Sequence, residues 1–311
     1  MKRFNFLTLL AFLFISACAP SMPAVALPAT ATAAPTATIS PTSAVTPSAS
    51  AAAATASTAT PPDVRDPLQW KSWPVIPGWT AGARDIFTRG LALGNDSTRF
   101  SKIGDCETSA AWFLADFDGG PERYSLGEYA ALSSVIEHFK GSFGRTSLAA
   151  RPGATAASLL TPLWADPKQC NPSETPLDCE LRLNKPAFTF LLVGSNDVPH
   201  RERFEENLRK VIERTIELGV VPVLATKADN LEGDDSLNAT MARLAVEYDL
   251  PLWNFWAAVQ PLPDHGLQPD AVHLTWASNR FDQVDNMRRA WPVRNLTALQ
   301  TLAALWRGSE K

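Results

Sequence analysis

Histidine and cysteine are scarce in this chain, four of each in 311 residues, and no group of them has the spacing of a metal site. A glycine-rich phosphate loop is missing too, which removes the usual nucleotide-binding fingerprints, and no segment repeats another. No cofactor is expected. Positive charge is also short. Lys2 and Arg3 are the only charges ahead of Asp63, so the remainder carries 26 basic against 32 acidic residues, a net charge of −6. That balance lacks the basic patch a nucleic-acid partner would need. The apolar run near the start, Phe4 to Ala17, falls short of the roughly 20 residues that span a bilayer.

Lys2 and Arg3 followed by that run read instead as a secretory signal. Its end, Ile15-Ser16-Ala17-Cys18, resembles the lipobox of bacterial lipoproteins. The resemblance implies that Cys18 is lipidated, becomes the mature N-terminus and anchors an extracytoplasmic protein to a membrane. From Ala19 to Pro62 nearly every residue is Ala, Thr, Ser or Pro. Such a stretch has too little bulky apolar surface to offset its ordering entropy, so it reads as a disordered tether. Its root-mean-square span would be about 35 Å. The expected organisation is a signal over 1–18, a tether over 19–62 and one domain over 63–311. The oligomeric state is not legible.

With Cys18 set aside, Cys106, Cys170 and Cys179 remain. Outside the cytoplasm, Cys170 and Cys179 are close enough in sequence to clip the Pro/Asn-rich loop between them, a closure worth about 2–3 kcal/mol. Cys106 is then the odd thiol, which marks it as reactive or intermolecular. A bond from Cys106 to either of the others stays open at this level.

The periodicity predicts strands at Arg99–Ile103, Thr146–Ala150, Ala187–Val193, Val220–Thr226 and Leu250–Phe255. Helices are predicted over Leu126–Phe139, from about Thr155, over Arg201–Leu218 with an apolar stripe from Phe204 to Thr215, over Leu237–Tyr248 and over Asn295–Trp306. Alternating strands and helices mean an α/β fold: a three-layer α/β/α sandwich around a mainly parallel sheet. In such sheets ligands bind beyond the carboxyl ends of the strands.

Two short clusters directly follow predicted strands: Gly104-Asp105-Cys106 and Gly194-Ser195-Asn196-Asp197. A third, Asp270-Ala271-Val272-His273, lies near the end. The order Gly-Asp-nucleophile, Gly-x-Asn-Asp, Asp-x-x-His resembles the SGNH (GDSL-type) hydrolases, with Cys106 where that family has serine. The resemblance implies a flavodoxin-like SGNH fold and a triad of Cys106 as nucleophile, His273 as base and Asp270 as its orienting group. It further implies oxyanion donors in the backbone N–H of Cys106, that of Gly153 and the side-chain amide of Asn196. Gly104, Asp105, Gly194 and Asp197 would shape the turns.

Acyl transfer needs these parts: a nucleophile, a base, a group that fixes the base, and donors for the oxyanion. A thiol at a strand-to-helix turn is favoured as thiolate by the helix dipole and exposed N–H groups. The expected function is hydrolysis of ester bonds, or transfer of the acyl group from the Cys106 thioester to a sugar hydroxyl, with an ester-bearing small molecule or an O-acylated glycan as partner. A catalytically degenerate scaffold that binds a glycan or envelope partner is the alternative, and a redox or structural role for Cys106 a third. Thr108 and Ser109 would be rotated away from the nucleophile's position by a helix. His138, His200 and His265 read as helix or loop residues. Trp253, Trp256 and Trp276 are expected mainly in the core, with stacking on a sugar as their other use.

Overall fold

The computed structural model describes residues 65–309 apart from Ala110; the signal segment 1–18 with Cys18 and the tether 19–62 lie outside the described residues. Helix α1 (Ala81–Ala92) leads into β1 (Asp96–Gly104). The helices α2 (Cys106–Ser109), α3 (Ser133–His138), α4 (Ala156–Leu159) and α5 (Pro176–Asn184) precede β2 (Pro186–Leu192). Then come α6 (Phe204–Glu217), β3 (Val221–Ala225), α7 (Ser236–Glu247), β4 (Leu252–Trp253), α8 (Phe255–Val259) and α9 (Ala290–Ser309). The strands form one parallel sheet in the order β1-β2-β3-β4, with helices on both faces. This is the expected α/β/α arrangement.

Every residue of β2 and β3 is buried. Their sequences run apolar without alternation because helices cover both faces. Helix α6 buries Phe204, Leu208, Val211, Ile212 and Thr215, spaced three and four apart, and each large apolar member contributes about 1.5–3 kcal/mol. At the centre of the core Trp253 meets Phe190 edge-on at 5.4 Å and stacks with Phe113 at 6.5 Å.

Several expected boundaries move, each for a local reason. Thr146–Ala150 is not a strand, because side chains take its backbone donors. Leu148 N–H donates to the Glu180 carboxylate (2.9 Å) and Ala149 N–H to the Ser147 hydroxyl (3.1 Å). Ala150 still joins the edge of β1 through one parallel bridge to Gly104. Leu126–Phe139 divides into a 3-10 stretch, Gly127–Leu132, and α3. Helix α6 begins at Phe204 because Pro199 sits in the preceding 3-10 segment, Ser195–Arg203, and has no N–H to give. Strand β4 is short because Asn254 turns the chain: its amide donates to the Trp70 carbonyl (2.8 Å) and its oxygen caps α8 at Ala257 (3.3 Å).

Helices α1 and α5 go beyond the sequence reading. Thr175 caps α5, which carries Cys179, and Cys170 and Cys179 form a disulfide across a separation of nine residues. Cys106 stands outside that bridge. Replacing Cys170 and Cys179 together with serine is expected to lower the unfolding free energy by about 2–3 kcal/mol, read from urea midpoints. An unchanged midpoint would mean that α5 and its cap hold the loop without the cross-link.

Candidate active site

The site begins with a close approach of two strand ends. β1 and β2 stay in register to their last residues, with Gly104 opposite Leu192. Gly104 has φ +154°, and a Cβ there would lie 2.0 Å from the Leu192 carbonyl oxygen. Only glycine lets the strands run this close to the turn. The next residue, Asp105, is buried, and its carboxylate accepts from Glu107 N–H (3.1 Å). Its backbone carbonyl accepts from the N–H groups of Thr108 (3.1 Å) and Ser109 (2.9 Å), which starts α2. Cys106 is the first residue of α2 and is half-buried. Because α2 is a single turn, its dipole is small. Thr108 is only 1% exposed, so it lies inside the fold.

The second cluster is braced against the segment after β1. Gly194 has φ +130°, and the chain then enters the 3-10 segment. Asp197 is buried and accepts from the Ala156 N–H (3.0 Å), while the Asn196 amide donates to the Ala154 carbonyl (3.3 Å). Arg151 N–H donates to the Gly104 carbonyl (3.0 Å). Exposed Gly153, at φ +77°, is therefore carried between a residue bonded to the Cys106 turn and one bonded to Asn196. Asn196 does not cap α6, whose first residue lies eight positions on.

His273 belongs to a loop pinned by its own backbone. Its ring Nδ1 bonds Asp270 Oδ2 at 2.6 Å, and Asp270 Oδ1 accepts the N–H groups of Val272 and His273, both at 3.0 Å. Burial works against charge on Asp270, but the His273 ring and the two N–H groups together hold its carboxyl below the ordinary value. A charged carboxylate on Nδ1 fixes the proton there and leaves Nε2 as the basic nitrogen. This loop is joined to the Cys106 turn through Leu274, whose N–H donates to Glu107 Oε1 at 3.2 Å.

Beneath the three clusters lies a set of buried charges that the sequence reading missed. Arg294, on α9, is 3% exposed and approaches Glu107 Oε2 with Nη1 at 3.5 Å. Lys227 pairs with Asp229 (2.8 Å) and Glu232 (2.6 Å), and Ser195 donates its hydroxyl to Asp229. Asp105, Glu107, Ser195, Lys227 and Arg294 help line a cavity of about 10 Å³, room for one water. Burial pushes Glu107 up to about 8, with Arg294 opposing. Burial likewise raises Asp105 to about 6, against Arg294 and the Glu107 N–H, and Asp197 to about 6. The available signal was Arg294-Asn295, a charged and an amide residue inside the largely buried helix α9.

The other candidates separate cleanly. His138 stacks on Trp306 at 4.3 Å, His265 bonds the Gln260 carbonyl and His200 is exposed. Trp253 is core, Trp256 packs on Trp70, and Trp276 is 61% exposed three residues beyond His273. Cys170, Glu174 and Cys179 are the cluster of metal-ligand proximity among the described residues, but the disulfide uses both sulfurs.

No family model and no curated relative matches the chain. Solved structures do resemble it. An acetylxylan esterase from Geobacillus stearothermophilus is 16% identical with a TM-score of 0.42, over 67% of this chain and 95% of that one. A GDSL-like lipase from Bacteroides thetaiotaomicron is 15% identical with a TM-score of 0.41, over 72% and 98%. The psychrotrophic esterase from a Pseudoalteromonas species is 13% identical with a TM-score of 0.42, over 68% and 100%. The likeness is one of chain trace.

The raised carboxyl of Glu107 has a consequence for stability. It titrates at 4.5 when unperturbed and about 8 here, so its contribution is complete below about 4.5 and lost as pH rises through about 8. Asp105 and Asp197 act in the same direction. Glu107→Gln removes one titration, so the variant should gain on the wild type by on the order of 3–4 kcal/mol between pH 5 and 8. Urea midpoints at several pH values read the difference. A constant gap would mean that Glu107 is ionised throughout.

Proposed function

We propose that this chain is an extracytoplasmic, lipid-anchored hydrolase of ester bonds that works through an acyl-enzyme on Cys106. The observation that carries the reading is the 2.6 Å bond between His273 Nδ1 and Asp270, in a loop bonded through Leu274 to the residue next to Cys106. Three groups of the right chemistry then lie on the turn that ends β1 and on the loop that Leu274 ties to it.

His273 Nε2 takes the thiol proton as Sγ bonds to the ester carbonyl carbon. The resulting oxyanion is met by the backbone N–H groups of Cys106 and Gly153 and by the Asn196 amide. That donor set requires the Asn196 amide to share its protons between the Ala154 carbonyl and the oxyanion. Collapse breaks the ester C–O bond, and His273 passes its proton to the departing alkoxide. Water then attacks the thioester carbonyl carbon and gives a proton to His273. The C–S bond breaks, the acyl group leaves as the carboxylic acid, and His273 returns its proton to Sγ, restoring the thiol. An O-acyl group on a glycan suits the site as well as a small ester does, and exposed Trp276, three positions after His273 in the chain, offers a face for a sugar ring.

A scaffold that binds without turnover is the second reading. It draws support from buried Asp105 and half-buried Glu107, the carboxyls on either side of Cys106, since any negative charge they carry disfavours the thiolate.

Intact mass after treatment with an activated acetyl ester at neutral pH tests the proposal. An acetyl adduct or turnover should vanish in Cys106→Ala. It should fall by about 10²–10⁴ in His273→Ala, and by at least about tenfold in Asp270→Asn, where the imidazole loses its fixed tautomer. Activity confined to Cys106→Ser would mean a hydrolase scaffold whose natural thiol serves another purpose. No acylation in any variant would overturn the esterase reading and favour binding.

A further inference from the structure

We infer that Glu107 is the positioning residue of this site, the group that sets the base loop against the nucleophile turn. The inference rests on the reading in which Cys106 and His273 react. Glu107 meets two different elements with its two carboxyl oxygens. Oε1 accepts the Leu274 N–H at 3.2 Å, from the residue after His273. Oε2 faces Arg294 Nη1 at 3.5 Å, from α9. Its own backbone N–H is held by the Asp105 carboxylate at 3.1 Å, so the residue is fixed from three sides.

Arg294 is an anchor that cannot easily move. Its guanidinium lies 4.9 Å from the ring centres of Phe113 and Phe255 and 5.6 Å from those of Trp253 and Trp291. Four aromatic faces hold the cation by shape and by ring electrostatics. Its Nε has no hydrogen-bond partner, an expensive state for a buried donor and one that a merely structural arginine would be expected to avoid. What the arginine does reach is the carboxyl beside Cys106.

The geometry therefore makes one lever of three parts. A displacement of Glu107 moves Cys106, its neighbour in the chain, and releases Leu274, the neighbour of His273. Reactions between positioned groups tolerate little error, and about 1 Å of misplacement costs up to about 10² in rate. Glu107 needs no contact with substrate to matter in this way.

The test compares two substitutions of similar length in the full chain. Glu107→Gln and Glu107→Met both replace the carboxyl that faces Arg294, but only glutamine keeps an oxygen for the Leu274 N–H. Glu107→Gln should stay within about threefold of wild type in kcat for an activated acetyl ester. Glu107→Met should lose about 10- to 100-fold in kcat with KM within about twofold.

Hydrogen exchange supplies a readout that needs no activity. Peptides covering 266–276 should exchange about tenfold faster in Glu107→Met, as one lost hydrogen bond requires, and unchanged in Glu107→Gln. Strand β2 should exchange alike in all three proteins. Equal kcat in the two variants would overturn the inference. So would unchanged exchange over 266–276 in Glu107→Met, or faster exchange in β2 as well, which marks general destabilisation. If the methionine variant fails to fold, Glu107→Ala supplies the same comparison. A wild-type protein that never acylates Cys106 would sink the esterase reading, while the exchange result would still decide whether Glu107 ties the two loops.

Discussion

Everything at this site depends on how closely β1 and β2 end together. The Leu192 carbonyl occupies the space where a side chain at residue 104 would begin, so the strands pair to the last residue. Their two turns are thus released side by side from one rim of a parallel sheet, the edge at which such folds bind ligands. Asp105 then closes the first turn over its own helix, and Asp197 and Asn196 fasten the second to the segment carrying Gly153. A larger residue at 104 would have to push β2 away and would misplace each of these groups together.

The second constraint is electrostatic. Asp105, Glu107, Asp229 and Glu232 lie close to only two buried cations, Arg294 and Lys227. Burying so many carboxylates in charged form would cost far more than the pairs return, and the raised values of Asp105 and Glu107 are the result. Lys227 is satisfied by three oxygen partners, whereas Arg294 is held mainly by aromatic faces. The aromatic core and the polar floor of the site are thus one structure: the rings that fill the domain also fix the cation that faces Glu107.

Much of this was legible from local pattern. The apolar runs of β2 and β3 and the stripe on α6 follow from burial on two faces and on one, and they stand where the sequence places them. Counting and short separation favoured a disulfide between Cys170 and Cys179 but left a bond to Cys106 open, and the structure forms the first pairing. Thr146–Ala150 was misread because its donors go to Glu180 and Ser147, partners that residue preferences do not register. Helix α5 was missed although Thr175 before Pro176 is a helix-start signal, and β4 was cut short by Asn254 reaching to Trp70, 184 residues away. Glu107 drew no notice beside Cys106 because an acidic residue in a first helical turn is ordinary.

The sequence by itself determined the alternation of strands and helices, the apolar faces and the three polar clusters, with Asp270 and His273 spaced to meet within one loop. These are short-range properties, set by backbone periodicity and by residues a few positions apart. Only the tertiary structure decided that Leu274 bonds Glu107 across 167 positions, that Arg294 lies under the nucleophile turn, and that Asn196 stands against the Gly153 segment. No local rule carries such pairings, because each exists only once the sheet has closed and its helices have buried the charges between them.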